Sequence, residues 1–155
     1  MFRLPKIGAI MPEHKTTRFA KLNHGLGADI DVEVAPIVNY LTDLGVETIS
    51  SCQGDPGLIE AEGGAFGHAA FIIPDDEGLS EEEDYSEMCY FVGMVIRPLV
   101  EHLYDAVRLE MHVSEDLVKS DFSTRTALVG WMYFRNECIP EITKRLGCYV
   151  EMLHK

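Results

Sequence analysis

A run of small polar residues, SSCQG at positions 50–54, ends one apolar segment and opens a glycine-rich loop. Serine and cysteine act as nucleophiles only beside a base, a cation or a helix N-terminus. The nearest histidine along the chain is His68, at the start of the next apolar segment. If the two segments are antiparallel strands, His68 comes to the same end of the sheet as Cys52. The spacing therefore indicates a site with Cys52 or Ser51 as nucleophile and His68 as base.

Other polar residues are suited to holding a ligand. The candidates are Ser50, Gln53, Gly54 and Asp55 at the strand end, and Arg108 and His112 on a later strand. Oxygen ligands such as Asp55, Glu60 and Glu62, together with His68, suit a hard divalent ion. Their spacing matches no calcium loop, and we assign neither a metal nor a cofactor. The competing interpretation is structural, with Cys52 packed beneath a helix and the glycines forming a surface loop.

An amphipathic helix and a strand lead into this cluster. Apolar residues recur every three or four positions from Val34 to Leu44, which predicts a helix. Gly45 stands where a left-handed residue would end that helix. The segments 46–52 and 69–73 then predict two neighbouring strands.

Side-chain alternation divides the first of these strands between two faces. Thr48, Ser50 and Cys52 share one parity, and Ile49, Ser51 and Gln53 share the other. A pocket would therefore use one set or the other.

The second half of the chain repeats this order. A helix is predicted from Tyr85 to Leu103, with a capping box formed by Ser80 and Glu83 and an interruption at Pro98. Three further elements follow, which are a strand at 107–113, a strand at 126–134 and a helix from Pro140 to Leu146 that ends at Gly147.

This order predicts an α+β fold of two helix-strand-strand units plus a C-terminal helix. We expect a ferredoxin-like antiparallel sheet with helices on one face. Each unit contains a loop of similar length, at 54–67 and 114–125. If the units are structural repeats, these two loops lie near one another.

Length and charge limit the protein classes. A chain of 155 residues is the usual size of one domain, which we place at 31–155 after a basic arm at 1–30. The formal net charge is −13, and no lysine or arginine occurs from Leu22 to Ile96, where sixteen Asp and Glu residues fall. Phosphate binding needs clustered basic residues, so this acidic span argues against contact with a nucleic-acid backbone. It permits binding to a basic protein partner.

The remaining composition indicates a soluble cytoplasmic protein. No apolar run reaches the ~20 residues that span a bilayer, and the first residues lack the apolar stretch of a secretory signal. The four cysteines have no short paired spacing, so we expect free thiols in a reducing compartment.

Residues Ile37 to Gly54 resemble part of the tRNA wybutosine-synthesising methyltransferase family that acts at the third step of its pathway. In that family, too, a helix leads into a strand that ends Ser-Ser-Cys-x-Gly. A basic residue tends to follow the glycine there, whereas this chain has Asp55. The segment is also similar to one in small uncharacterised bacterial and phage proteins, for which the resemblance implies no defined activity. It implies a pocket at Ser50 to Gly54 and not methyl transfer.

Two functions follow as hypotheses. The first is binding of a small polar or nucleotide-like ligand at the Ser50–Gly54 strand end, and the sequence leaves open whether the ligand reacts. If it does, hydrolysis or group transfer is the expected class. The alternative is a non-enzymatic, phage-type inhibitor or adaptor that offers its acidic region to a basic protein. A third hypothesis, RNA modification, requires the basic residues of the arm to converge on one face.

Overall fold

The computed structural model describes residues 15–19, 28–54, 66–74, 80–103, 105–113 and 128–155. It confirms the α+β class, with helices packed on a four-stranded antiparallel sheet. The elements in chain order are β1 Thr16–Phe19, β2 Ala28–Asp31, α1 Ala35–Asp43, β3 Glu47–Cys52, β4 Phe66–Ile72, α2 Glu81–Tyr90, β5 Val107–Val113, β6 Leu128–Arg135 and α3 Ile139–Leu153.

The sheet has the strand order β3-β4-β6-β5, and every neighbouring pair is antiparallel. It therefore consists of two hairpins side by side, joined by β4 and β6 at the centre. The strand predicted at 126–134 is thus a central strand, with β4 on one side and β5 on the other. β1 and β2 form a separate antiparallel pair within the region expected to be an arm.

One face of the sheet carries the apolar core. Phe71 of β4 and Met132 and Phe134 of β6 are fully buried, and they share a cluster with residues from all three helices. The helical contributions come from Ile37, Val38 and Leu41 of α1, Met88 of α2, and Ile142 and Leu146 of α3. The expected periodicity in α1 is thus confirmed by which of its side chains are buried.

Three predicted helix signals are confirmed. Gly45 follows α1 with a left-handed φ of +96°, a conformation that favours glycine. The Ser80 hydroxyl accepts a hydrogen bond from the Glu83 amide, and the Glu83 carboxylate accepts one from the Ser80 amide. After α2 the chain continues as a π-helical stretch at Phe91–Ile96 and one α-helical turn at Arg97–Leu99, so the helix changes form immediately before Pro98.

The predicted end of the last helix at Gly147 is wrong. α3 continues through this residue to Leu153. A Cβ atom at Gly147 would lie 2.9 Å from the hydroxyl and 3.0 Å from Cζ of Tyr40 on α1. Glycine is therefore explained here by the close approach of two helices and not by a helix stop.

The expected proximity of the two hairpin loops is also wrong. Phe66, at the start of β4, pairs with Arg135 at the end of β6, whereas Leu128, at the start of β6, pairs with Val113. The β3–β4 and β5–β6 connections consequently leave the sheet at opposite ends. The reason is that β4 and β6, the second strands of their hairpins, run antiparallel to each other.

A register shift in β3 corrects the predicted division of its side chains. Thr48 pairs with Phe71 and Ser50 pairs with Ala70, which leaves Ile49 as an extra residue between them. Such a β-bulge places two residues opposite one. Thr48 therefore faces the core while Ser50 and Cys52 face the opposite side, although all three have the same parity.

Within the described residues, none of the helices is long and apolar enough to cross a membrane.

Candidate functional site

The face of the sheet opposite the core carries a continuous set of polar and aromatic side chains. Cross-strand pairing aligns Cys52, His68, Tyr133 and Arg108 in one row across β3, β4, β6 and β5. The next row contains Ser50, Ala70, Trp131 and Glu110. Residues directly opposite on neighbouring strands point to the same side. We call these two rows the polar face.

Ser50 and His68 make the closest side-chain contact on this face. The Oγ of Ser50 lies 2.8 Å from Nε2 of His68. This distance is that of a good hydrogen bond, and it joins the second row of the polar face to the first. The residue expected only to bind ligand, Ser50, is thus the hydroxyl that contacts the expected base.

Two aromatic rings lie beside this pair. The rings of Trp131 and Tyr133 are stacked, with centroids 5.6 Å apart and planes 8° apart. The His68 ring lies 5.4 Å from Trp131 and 6.4 Å from Tyr133. Ala70, between Ser50 and Trp131 in the second row, contributes only a methyl group. The Ser50 hydroxyl is therefore flanked by a wall of three rings, which are those of His68, Trp131 and Tyr133.

Charged groups complete the face at β5. The Arg108 guanidinium lies 4.8 Å from the centre of the Tyr133 ring, a cation–π geometry. The Glu110 carboxylate lies 3.4 Å from Nε of Arg108 and 3.3 Å from Nε2 of His112. These contacts are largely exposed, so they orient the side chains and contribute little to stability. His112, expected to bind ligand, adjoins the polar face through Glu110.

Burial controls the protonation of two of these groups. It lowers the pKa of His68 below its ordinary value of 6.5, although the nearby Asp31 carboxylate raises it. The neutral imidazole is therefore the main form near pH 7 and can accept a hydrogen bond from Ser50. Burial also raises the pKa of Tyr133, with Glu110 adding to this effect and Arg108 opposing it. Tyr133 consequently remains a neutral phenol.

Gln53 is held on three sides by its neighbours. Its backbone amide donates a hydrogen bond to Oδ2 of Asp31 at 3.0 Å, and its backbone carbonyl accepts one from Nδ2 of Asn136 at 2.9 Å. The side-chain Oε1 accepts a weaker bond from the Glu33 amide at 3.4 Å. Asn136 also donates to the Glu33 carboxylate at 3.3 Å. Gln53 therefore fixes the end of β3 to the end of β2, to the segment before α1 and to the segment before α3.

The glycines at this end of the sheet let two strands approach closely. A Cβ atom at Gly54 would lie 2.7 Å from the Gly67 nitrogen, and one at Gly67 would lie 2.5 Å from the Cys52 carbonyl oxygen. Gly54 also has a left-handed φ of +79°. Its amide lies 3.4 Å from Sγ of Cys52. Backbone packing thus accounts for Gly54 without a ligand.

The structure separates the expected catalytic residues. Cys52 is the direct cross-strand partner of His68, which agrees with the expectation that both lie at the same end of the sheet. Ser51 pairs with the buried Ala69 and so points to the core side, away from His68. Asp55, Glu60, Glu62 and the rest of the loop lie outside the described residues. Within the described part of the chain, no three His, Cys, Asp or Glu side chains are grouped closely enough to hold a metal.

Three residues of the site were missed by sequence reasoning. Trp131 and Tyr133 were placed only within the predicted strand at 126–134, and Asp31 was given no role in the site. The alternation of aromatic residues with Met132 and Phe134 could have indicated the two rings, because alternate residues of a strand face opposite sides. Asp31 had no such signal, since its proximity depends on the packing of β2 against β3.

No protein-family model, curated protein or solved structure matches this chain.

Proposed function

We propose that the protein binds a small polar ligand with a planar ring, as in a nucleotide, on the polar face beside the Ser50–Gly54 strand end. The observation that carries this proposal is the wall of rings formed by His68, Trp131 and Tyr133 next to the Ser50 hydroxyl. Stacking on aromatic side chains is the general means by which proteins hold nucleobases. The sheet supports these rings from one position on β4 and two alternate positions on β6, so little ordering is needed on binding.

The polar groups around the rings suit the edges of such a ligand. Ser50 and the neutral His68 can donate and accept hydrogen bonds, and Arg108 supplies a cation on the β5 side. The Glu110 carboxylate partly neutralises the Arg108 guanidinium, which favours a ligand of low negative charge over a polyphosphate. The pocket position at Ser50 to Gly54 that the family resemblance implies supports the same location. Gln53 and Gly54 would act there by positioning β3.

If the ligand reacts, His68 is the available base. It contacts the Ser50 hydroxyl directly and is the cross-strand neighbour of Cys52. Hydrolysis or group transfer would then begin with proton transfer from either group to the imidazole.

Trp131 is the only tryptophan in the chain, so its fluorescence reports directly on the polar face. We expect nucleoside monophosphates to quench this emission in a saturable way, and ribose 5-phosphate to leave it unchanged. Tyr133→Leu should weaken nucleotide binding by about tenfold, because one stacking ring is worth about 1–3 kcal/mol. The matched control is Tyr90→Leu, at an exposed tyrosine on α2, which should not change affinity. Equal binding of ribose 5-phosphate and nucleotides, or no binding of either, would contradict the proposal.

A specific observation also favours the alternative of a basic protein partner. Four acidic residues occupy the first turn of α2, and Glu81, Glu82 and Asp84 line a groove of about 530 Å³ together with Tyr85, Val113 and Leu128. Tyr85 and Val113 are 60% and 57% exposed. We propose, as the second candidate, that a basic peptide places an apolar side chain in this groove and its cations on the rim.

This second candidate predicts strong salt dependence. Binding to a lysine-rich protein mixture should fall steeply with ionic strength. The double variant Glu81→Gln, Glu82→Gln should lose this binding, while Cys52→Ala should retain it. Retention by the double variant would exclude the α2 rim as the contact.

A further inference from the structure

The edge strand β5 has an unusual exposed end. Within the described residues it pairs with β6 on one side only. Met111 and Val113 are 40% and 57% exposed, and His112 between them is also exposed. The strand VRLEMHV contains no proline and no lysine, which are two of the residues that commonly protect an edge from pairing.

The backbone direction of β5 defines which groups are available for pairing. The Arg135 amide donates to the Ala106 carbonyl, so the backbone of Ala106 points toward β6. Directions alternate along an antiparallel strand. The amides and carbonyls of Leu109, Met111 and Val113 therefore point away from β6, toward the edge.

We propose that this edge pairs with β5 of a second copy of the chain, antiparallel and centred on Met111. Met111 then lies opposite Met111 of the second copy, and Leu109 lies opposite the second copy's Val113. Each of these pairs joins residues whose backbone groups point outward, as ladder hydrogen bonds require. Met111 and Val113, the two most exposed apolar side chains of β5, are then covered by the strand of the second copy.

Charge selects this register over the alternative centred on Glu110. Centring on Met111 places Glu110 opposite His112 of the second copy, twice by symmetry. Centring on Glu110 would place two carboxylates opposite each other, which is destabilising. A third register, centred on Leu109, would require an outward hydrogen bond from the Val107 amide. That amide already donates to the Leu103 carbonyl. This register would also leave Val113 uncovered.

The pairing also extends the polar face. Glu110 belongs to its second row, and His112 of the second copy would stand beside Glu110 on the same side of the sheet. The two four-stranded sheets would form one continuous sheet, with the polar faces of both copies on one surface. Each ligand site would gain a histidine from the other copy.

Sedimentation equilibrium of the full chain tests this pairing. We expect the apparent mass to rise from 17.4 kDa toward twice that value between about 10 μM and about 1 mM, since an interface this small is weak. Met111→Pro removes one outward amide and keeps the ladder with β6, so it should remain monomeric. Met111→Val keeps that amide and should associate like the wild type. A wild type that stays monomeric throughout, or a Met111→Pro variant that associates equally, would overturn the proposal.

Charge-exchange variants keep the test decisive if the proline variant does not fold. Glu110→Lys alone sets a lysine against the second copy's His112, and His112→Glu alone sets two carboxylates together. Each should weaken self-association by about tenfold or more. Mixed in equal amounts, the two variants should form a heterodimer, because the new lysine faces the new glutamate. Failure of the mixture to associate better than either variant alone would reject the register.

Discussion

The Ser50 hydroxyl and the His68 imidazole meet at 2.8 Å across β3 and β4, whereas the adjacent Ser51 faces the other side of the sheet. Two neighbouring serines of identical chemistry thus have different surroundings because of strand geometry alone. His68 can accept a proton from the Ser50 hydroxyl only while its imidazole is neutral. The titration of His68 is therefore the first property to measure.

We expect Asp31→Asn to lower the pKa of His68 further. Burial already lowers this pKa below 6.5, and the Asp31 carboxylate opposes that shift. The imidazole protons can be followed by NMR through a pH titration, with Glu33→Gln as a control that removes a carboxylate near the same strand end. An unchanged or raised pKa in Asp31→Asn would show that the carboxylate does not act on His68.

The same shift predicts how stability depends on pH. The unfolded chain binds a proton at His68 more tightly than the folded protein does, so protonation favours unfolding. The contribution of His68 is therefore intact above pH 6.5 and declines as pH falls below that value. His68→Gln should reduce this decline in urea denaturation midpoints measured between pH 7.5 and about 5. A wild-type slope that His68→Gln leaves unchanged would assign the decline to other groups.

Asn136→Ala should destabilise the protein by about 1–2 kcal/mol. The substitution leaves the Gln53 carbonyl without the 2.9 Å bond from Nδ2. Asn136→Asp should cost more, because its carboxylate would face both that carbonyl and the Glu33 carboxylate. Urea denaturation gives both values, and Glu137→Ala, at an exposed position in the same turn, is the neutral control. Equal stability of all three variants would mean that Gln53 is not held by Asn136.

Gly130→Ala should destabilise the protein by about 1–3 kcal/mol through overpacking. The added methyl would lie 2.5 Å from Cε2 of Phe71 and 2.9 Å from Sδ of Met88. Gly93→Ala is the matched control, because no atom lies within 4 Å of its added methyl, and alanine favours a helix over glycine by up to about 1 kcal/mol. Thermal denaturation should thus show opposite shifts, and equal shifts would contradict the packing described for Gly130.

Ser80→Ala should cost about 1 kcal/mol, since it removes the side chain that accepts from the Glu83 amide. Ser86→Ala, at an exposed position within α2, changes the same side chain without touching the cap and should be neutral or slightly stabilising. Both can be compared by thermal denaturation. A loss in Ser86→Ala as large as that in Ser80→Ala would contradict a specific role for the cap.

The sequence predicted those elements whose signals are local. Residues 80–83 carry a capping box in their own spacing, and Gly45 ends α1 through its own backbone conformation. The hairpin of β3 and β4 could also be predicted, because two apolar segments flank one loop. From that hairpin followed the expectation that His68 lies at the same end of the sheet as Cys52.

Features that depend on packing between distant elements could not be predicted. Gly147 has the sequence context of a helix stop, yet its role is set by Tyr40, more than a hundred positions earlier. The approach of Asp31 to His68 depends on β2, whose chain segment shows little periodicity. The opposite placement of the hairpin ends follows from the antiparallel pairing of β4 with β6, which alternation within a single strand does not reveal.

The extra residue Ile49 has a consequence for sequence change in this region. It has no partner on β4, while Thr48 and Ser50 on either side of it pair with the adjacent residues Phe71 and Ala70. Removing position 49 would join these two pairs into a regular ladder and leave Ser50 and Cys52 beside His68. A one-residue gap at position 49 is therefore the change in chain length that the site can absorb, and an alignment of relatives should allow it there.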